Sequence, residues 1–249
     1  MQPRSVTDID ADRICLFLDL DGTLIEIASR PDAVAVPDDL LPLLEKLAAR
    51  LGGAVAVVSG RPLADLQRLL PACPVPLIAE HGAVFEMPAR YQARPGRVFS
   101  VPEAMAAFVR RKVEGLDGVL LEEKQSCLTV HFRLAPEQEG KVRAILEEAL
   151  GRWRAFRITG AKMALELRPR GLDKGAAVRQ LMQHPPFRGR KPIFIGDDIT
   201  DEDGIRACLL MGGQGLRVPA DFGGGPAAVR RWLWGLAAKA PPETAQYPP

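Results

Sequence analysis

The chain has 249 residues, of which 47% are hydrophobic and 26% are charged, a composition typical of a soluble globular protein large enough for two units. The formal net charge is only +2, so charge gives no bias toward nucleic acid or a membrane surface. Four well-separated cysteines without a CxxC pair argue against a zinc site and a disulfide framework. With no apolar leader and no apolar run of 18 residues, we expect small-molecule chemistry in the cytoplasm.

The first part of the chain predicts alternating strands and helices. The apolar runs at residues 14–18 and 54–58 indicate buried parallel strands. Leucines at helical spacing predict a helix over residues 38–50 between them. A further helix is predicted over residues 62–69, where proline stands at the start, and a strand over residues 76–79. This order is typical of a doubly wound sheet.

The same order returns late in the chain, and a different pattern lies between. A helix is predicted over residues 173–182 and an apolar strand over residues 192–195. The intervening pattern is helices at 102–114 and 137–150 and strands at 119–122, 127–133, 154–158 and 163–167. The predicted fold class is therefore α/β, with a doubly wound, mostly parallel sheet in residues 1–100 and 170–249 and an inserted α+β domain in residues 101–169. Residues 240–249 are expected to form a frayed tail.

Two carboxylates follow the first predicted strand, in the segment Asp19-Leu20-Asp21-Gly22-Thr23. Open α/β sheets bind their ligands at the carboxyl ends of their strands. One carboxylate can attack phosphorus while the other moves the proton of the leaving and entering oxygens. The alternative is a solvated turn, which the segment alone does not exclude.

Two more segments can hold a phosphoryl group. Ser59-Gly60-Arg61 ends the next strand, where a hydroxyl and backbone N–H groups can bind phosphoryl oxygens. Lys174 stands at a predicted helix start, where it can neutralise a phosphate dianion. Taken singly, Ser59 could be a helix cap and Lys174 a surface lysine.

An acidic segment follows the late apolar strand. Residues 196–203 read Gly-Asp-Asp-Ile-Thr-Asp-Glu-Asp, and so many carboxylates repel one another unless a cation is present. Oxygen ligands suit magnesium. The alternative is an acidic helix N-terminus, where carboxylates are favourable, and Glu202 and Asp203 could be only that.

These four segments, in this order, resemble the haloacid dehalogenase (HAD) superfamily of phosphohydrolases. The resemblance covers nearly the whole chain, and it implies a Rossmann-like HAD core with a larger cap that closes over small substrates. Within the superfamily the sequence is similar to the trehalose-6-phosphate phosphatases, because Ser59-Gly60-Arg61 and the Gly-Asp-Asp-x-Thr-Asp-Glu-Asp form of residues 196–203 look like theirs.

That family places a Glu-x-Lys and a later glutamate in the cap as sugar ligands, and Glu122, Lys124 and Glu166 stand at the matching places. Carboxylates accept hydrogen bonds from sugar hydroxyls, and lysine donates them. The alternative for these three residues is an ordinary charged strand edge. Two histidines in family-like stretches, His81 and His131, are left out of the catalytic set, because the expected mechanism needs no histidine.

The resemblance implies a mechanism through an aspartyl-phosphate. Asp19 is expected to attack phosphorus, and Asp21 to protonate the sugar oxygen and then deprotonate water. Ser59 and Lys174 are expected to bind the transferring phosphoryl group. The full set expected to contact the substrate is Asp19, Leu20, Asp21, Ser59, Gly60, Arg61, Glu122, Lys124, Glu166 and Lys174.

The resemblance also implies a Mg²⁺ ion held by Asp19, the Asp21 backbone carbonyl and Asp197. Asp201 is expected to orient a metal-bound water or Lys174. Asp198 is expected to lie behind the metal ligands and to support them without binding the metal. The expected partner is a small sugar phosphate, with functional coupling to a trehalose-6-phosphate synthase and no nucleic-acid or membrane partner.

Three alternatives stay open from the sequence. The first is the same chemistry on another sugar phosphate, such as sucrose 6-phosphate or a glucosyl- or mannosyl-glycerate phosphate. The second is a non-catalytic sugar-phosphate sensor or a partner of a synthase, against which the joint presence of nucleophile and acid speaks. The third is a phosphomutase, which only the resemblance disfavours.

Overall fold

The computed structural model describes residues 13–28, 34–91, 99–161 and 163–238. The chain divides into two compact units, a core unit of Met1–Gly96 with Asp173–Pro249 and an insert unit of Arg97–Leu172. The tail predicted to fray, residues 240–249, lies outside the described residues. Within the described part of the chain, no helix has the length and apolar character needed to cross a membrane.

The secondary structure alternates along the core unit and is interrupted once by the insert unit. In chain order the strands are β1 (Ile14–Leu18), β2 (Val55–Val58), β3 (Leu77–Ala79), β4 (Val84–Glu86), β5 (Leu120–Glu123), β6 (Leu128–His131), β7 (Phe156–Ala161), β8 (Ala164–Pro169), β9 (Lys191–Gly196) and β10 (Gln214–Arg217). The helices are α1 (Leu40–Arg50), α2 (Leu63–Leu69), α3 (Glu103–Val113), α4 (Glu139–Arg152), α5 (Lys174–Leu181), α6 (Glu202–Leu210) and α7 (Pro226–Ala237).

The core unit is built on one six-stranded sheet in the order β10-β9-β1-β2-β3-β4. Its neighbours pair in parallel, except that β4 runs antiparallel to β3. Every residue of β1 and β2 is buried, as expected for strands covered on both faces. Since β1 pairs with both β2 and β9, the two ends of the chain share one sheet, and the doubly wound α/β prediction is confirmed.

The insert unit has an antiparallel four-stranded sheet in the order β5-β6-β8-β7. The apolar residues of α3 and α4 pack with alternate residues of β6 and β8, including Leu128, Val130, Leu165 and Leu167, in one hydrophobic cluster. The residues between these belong to the other face of the sheet, because side chains alternate along a strand. The predicted order of helix, two strands, helix and two strands is confirmed.

The sequence did not predict β4, α6, β10 or α7. Two of these elements are strands of three and four residues, too short for a periodic pattern. The helix α6 begins inside the acidic segment, where its polar first turn hides the helical period. In α7, Trp232 packs edge-on against Phe222 at a ring separation of 5.6 Å, which places that tryptophan in the core.

Candidate active site

The four chemical segments meet at one edge of the core sheet. Asp19 directly follows β1, Ser59 directly follows β2, and Asp197 directly follows β9. These three strands are adjacent, in the order β9-β1-β2, so their carboxyl ends bring the side chains together. Lys174 is the first residue of α5, whose N-cap Asp173 accepts a hydrogen bond from the backbone N–H of Ala176 at 2.7 Å.

Lys174 joins two of these segments through buried, charged hydrogen bonds. Its Nζ donates to Asp19 Oδ1 and to Asp201 Oδ1, both at 2.6 Å. All three residues are buried. Burial alone would lower the pKa of Lys174, but the two carboxylates raise that pKa above its ordinary value. The ammonium group therefore stays charged next to Asp19.

Asp201 fixes the acidic loop as well as the lysine. Its Oδ2 accepts hydrogen bonds from the backbone N–H groups of Asp197 and Asp198, both at 3.0 Å. Asp198 itself caps the following turn by accepting from the backbone N–H of Thr200. A Cβ atom at Gly196 would overlap the Asp201 side chain, so glycine is required there by close approach. Asp201 was predicted to orient either a metal-bound water or Lys174. Its hydrogen bond with Lys174 fits the second of these roles.

The carboxylates around Lys174 outnumber its single positive charge. Ligand oxygens of Asp19, Asp197 and Asp201 lie within 4.8 Å of one another. Burial raises the pKa of Asp19 to about 8, an effect that Lys174 reduces and the other two carboxylates increase. The pKa of Asp197 is also raised, by burial and then by Asp201 and Asp198. A cation among these oxygens would relieve the excess negative charge, and the donor set fits a hard metal ion.

Two contacts shape the loop between Asp21 and Asp197. The Thr23 hydroxyl donates to Asp197 Oδ1 at 3.3 Å. Gly22 has a φ of 81°, and a Cβ there would overlap the Asp197 carboxylate. Glycine is therefore needed both for the backbone and for the close approach of the acidic loop. The contact of Thr23 was not anticipated from the sequence.

Asp21 is held by Arg61 in a two-point ion pair. Arg61 Nε donates to Asp21 Oδ2 and Arg61 Nη2 donates to Asp21 Oδ1, both at 2.6 Å. The hydrogen bond to Asp21 raises the pKa of Arg61. The Ser59 hydroxyl accepts from the backbone N–H of Arg61 at 3.2 Å, and Ser59 is buried. The sequence indicated Arg61 as a substrate contact, whereas the structure places its guanidinium on the second carboxylate.

A separate polar cluster lies on the insert sheet. The register pairs Glu122 with Thr129 and Thr129 with Glu166, so these three side chains share the face away from the helices. Lys124 Nζ lies 3.7 Å from Glu122 Oε1 and 3.8 Å from Glu166 Oε1. The structure therefore brings together the three residues that the family resemblance indicated.

Neighbouring side chains orient both glutamates of this cluster. His131 Nε2 lies 2.8 Å from Glu122 Oε2, and this hydrogen bond lowers the pKa of Glu122. The Thr129 hydroxyl donates to Glu166 Oε1 at 3.1 Å, and the Cys127 thiol donates to the same oxygen at 3.4 Å. Sequence reasoning missed these supports, although alternation from Thr129 places both Cys127 and His131 on the same face.

Comparisons with known proteins agree on one family. A family model described as trehalose-phosphatase matches residues 17–212. A probable trehalose-phosphate phosphatase of Sinorhizobium fredii is 40% identical over 86% of this chain and 81% of its own. The trehalose-6-phosphate phosphatase of Escherichia coli is 34% identical over 81% of this chain and 76% of its own.

Solved structures share the fold. A trehalose-6-phosphate phosphatase related protein covers 90% of this chain and 96% of its own, with a TM-score of 0.69 and 26% identity. A phosphatase of the HAD superfamily from Bacteroides thetaiotaomicron covers 83% of this chain and 84% of its own, with a TM-score of 0.55 and 17% identity. The second likeness concerns the fold alone, and it agrees with the predicted α/β fold class.

Proposed function

This chain belongs to the trehalose-phosphatase family, and on that basis we propose that it hydrolyses trehalose 6-phosphate to trehalose and inorganic phosphate. Its relatives are named phosphatases, which are phosphoric monoester hydrolases. The observation that carries the proposal is the Asp19 carboxylate, held by Lys174 at 2.6 Å directly after β1 and two residues from Asp21. A fixed carboxylate beside a second one is what a nucleophile and its acid–base partner require.

In the proposed reaction the phosphoryl group passes through Asp19. A carboxylate oxygen of Asp19 attacks phosphorus and the bond from phosphorus to the sugar oxygen breaks. Asp21, which must enter this step as a carboxylic acid with one oxygen released from Arg61, transfers its proton to that sugar oxygen. Asp21, now a carboxylate, takes a proton from water, and the resulting oxygen attacks phosphorus. This second step releases inorganic phosphate and regenerates Asp19. After one turnover Asp19 is again a carboxylate and Asp21 is again a carboxylic acid, the states in which they began.

The phosphoryl oxygens are proposed to bind donors that are already in place. Lys174 and Ser59 supply an ammonium and a hydroxyl, and both side chains are buried. Leu20, Gly60 and Arg61 complete the proposed contacts with the phosphate end of the substrate. Preorganised donors lower the barrier because no reorganisation is needed as charge develops in the transition state.

A metal ion is proposed to complete the site, with Mg²⁺ as the expected ion. Asp19, the Asp21 backbone carbonyl and Asp197 would hold it, with Asp198 and Asp201 behind them. Support comes from the surplus of carboxylates over ammonium groups and from their oxygens within 4.8 Å of one another. When bound, the cation reduces the repulsion between the phosphate and these carboxylates.

The sugar is proposed to bind the insert unit through Glu122, Lys124 and Glu166. Support comes from their shared sheet face and from the contacts of Lys124 Nζ with the two glutamates, at 3.7 and 3.8 Å. Carboxylates accept from sugar hydroxyls, and the ammonium donates to them. On this proposal the insert unit sets specificity while the core unit performs the chemistry.

The proposed setting is trehalose biosynthesis in the cytoplasm. A synthase that joins two glucose units must supply the phosphorylated disaccharide, so we propose functional coupling to such an enzyme. The proposed reaction needs only the small substrate, water and the metal ion. A matching test is whether removal of the gene raises the level of trehalose 6-phosphate in the source cell, where an unchanged level would contradict this setting.

The decisive experiment is phosphate release from a panel of sugar phosphates, each with and without Mg²⁺. We expect metal-dependent release, restored by Mg²⁺ after chelation, and a strong preference for trehalose 6-phosphate. A preference for sucrose 6-phosphate or a glycosyl-glycerate phosphate would keep the core chemistry and overturn the substrate assignment. Absence of release from every sugar phosphate would favour a sensor that only binds them.

A further inference from the structure

The turn after β3 has a strained backbone next to the phosphate-binding loop. Glu80 and His81 have φ values of 48° and 57°, in the left-handed region that residues with a Cβ rarely adopt. Gly82 follows with a φ of 102°. Such conformations persist where surrounding contacts hold them, and they cluster at functional sites. This segment, Glu80–Gly82, is called the 80–82 turn below.

Backbone hydrogen bonds tie the 80–82 turn to the loop of Ser59, Gly60 and Arg61. The N–H of Glu80 donates to the carbonyl of Arg61, and the N–H of His81 donates to the carbonyl of Ser59, both at 3.0 Å. Both bonds lie just beyond the ends of the paired strands β2 and β3. The position of the loop therefore depends on the conformation of the turn.

The imidazole of His81 lies directly against Gly60. A Cβ atom at Gly60 would come within 2.5 Å of Cε1 and Nε2 of that ring. Gly60 has no left-handed backbone of its own, so close approach explains why glycine occupies the position. Any side chain at position 60 would have to displace the imidazole.

The turn also reaches the helix that carries Lys174. A Cβ atom at Gly82 would lie 2.8 Å from the backbone carbonyl oxygen of Asp173, the N-cap of α5. The same short segment therefore packs between the Ser59–Arg61 loop and the start of α5. These two segments supply the proposed phosphoryl donors.

We propose that His81 is a positioning residue, which holds the Ser59–Arg61 loop through Gly60 and thereby orients Asp21 through its two-point pair with Arg61. The inference deepens the proposed function and rests on it, because Asp21 is its acid–base group. On this proposal His81 acts through the loop rather than on the substrate. The strain at Glu80 and His81 is what brings the ring onto Gly60.

The contact is tested by a double-mutant cycle with His81→Asn and Gly60→Ala. Asparagine tolerates the left-handed backbone but lacks the ring. We expect each single change to lower kcat for trehalose 6-phosphate by about 10- to 100-fold, the order expected for a displacement near 1 Å. The double variant should be no slower than the slower single variant, because the two changes act on one contact. If the loss of kcat in the double variant equalled the product of the losses in the two single variants, the proposed contact would be overturned.

A second substrate separates positioning from a merely structural role. p-Nitrophenyl phosphate has a leaving group that departs without a proton, so its hydrolysis depends less on Asp21. We expect His81→Asn to lower kcat/KM about tenfold further for trehalose 6-phosphate than for p-nitrophenyl phosphate. If His81→Asn lowered kcat/KM equally for both substrates, the positioning role would be overturned while the proposed function would stand.

The matched control is His184→Asn, the same change at a histidine of the core unit outside the site, which should keep wild-type rates. Circular dichroism and the melting temperature should show that every variant folds. If unfolding accounted for the lost activity of His81→Asn, a positioning role would be contradicted. A wild-type chain inactive on both substrates would overturn the proposed function and this inference with it.

Discussion

Two lysines in this chain each lie between two carboxylates, and the distances distinguish them. In the core unit, Lys174 Nζ is 2.6 Å from an oxygen of each carboxylate partner. In the insert unit, Lys124 Nζ is 3.7 and 3.8 Å from its two partners. The side chain of Lys174 is 3% exposed and that of Lys124 is 12% exposed. By these lysine–carboxylate distances alone, we call the first arrangement the closed triad and the second the loose triad.

On the proposed function, the difference in distance corresponds to a difference in task. Short, buried hydrogen bonds between charged groups fix the direction of a nucleophile before any substrate arrives. Lysine–carboxylate contacts near 4 Å are longer than hydrogen bonds, so we expect a sugar hydroxyl group to be able to insert between these charges. A fixed triad suits chemistry on one phosphorus atom, and a loose triad suits recognition of a sugar with many hydroxyl groups.

The largest expected effect comes from removing the proposed nucleophile of the closed triad. Asp19→Asn keeps the size of the side chain but replaces the carboxylate by an amide, which is a far weaker nucleophile. We expect kcat to fall by at least about 10⁴-fold, the order of losses on removing a member of a catalytic set. The fold should remain, because the amide needs less solvation than a buried carboxylate. Steady-state phosphate release and circular dichroism measure the two effects.

The matched control is Asp117→Asn, the same chemical change at an exposed aspartate of the insert unit. It should leave both kcat and the melting temperature at wild-type values. Turnover by Asp19→Asn above about 1% of the wild-type rate would contradict its assignment as nucleophile.

The next largest effect is a loss of stability on removing the lysine of the closed triad, which should exceed the loss at the loose triad. Lys174→Met keeps the length of the side chain but leaves two buried carboxylates without their cation. We expect the free energy of unfolding to fall by about 3–5 kcal/mol, the usual cost of breaking a buried ion pair. Activity should be lost as well, because the ammonium group that holds Asp19 and is proposed to bind the phosphoryl oxygens would be absent. Chemical denaturation and phosphate release measure both losses.

Much of the fold could be predicted from the sequence because its core strands are short, unbroken apolar runs. The strand at residues 14–18 and the leucine-patterned helix before β2 were both placed within two residues of their observed ends. The edge strand β10 contains Gln214 and Arg217 and only one buried residue, so it carries no apolar pattern. Edge strands of this kind acquire their structure from pairing with a neighbour rather than from local sequence.

The site was predictable as a set of segments but not as a set of contacts. Strand ends gave the positions of Asp19, Ser59 and Asp197, because parallel strands present the same end to one edge. The ion pair between Arg61 and Asp21 depends on the directions of the two side chains, which the spacing of residues in the sequence does not specify. The role of His81 depends on a left-handed backbone that strand propensities do not reveal.

The smallest expected effect is at the lysine of the loose triad. Lys124→Met should lower the free energy of unfolding by less than Lys174→Met does, because its ion pairs are longer and its side chain is more exposed. It should instead raise KM for trehalose 6-phosphate by about 10- to 100-fold, the loss of one hydrogen bond from a charged donor, with kcat within about threefold of wild type. Lys112→Met, at an exposed lysine of the same unit that pairs with Glu148, should leave KM unchanged. A stability loss in Lys124→Met as large as that in Lys174→Met would show that the distances do not separate the two triads, whereas a change in KM alone would assign one lysine to chemistry and the other to recognition.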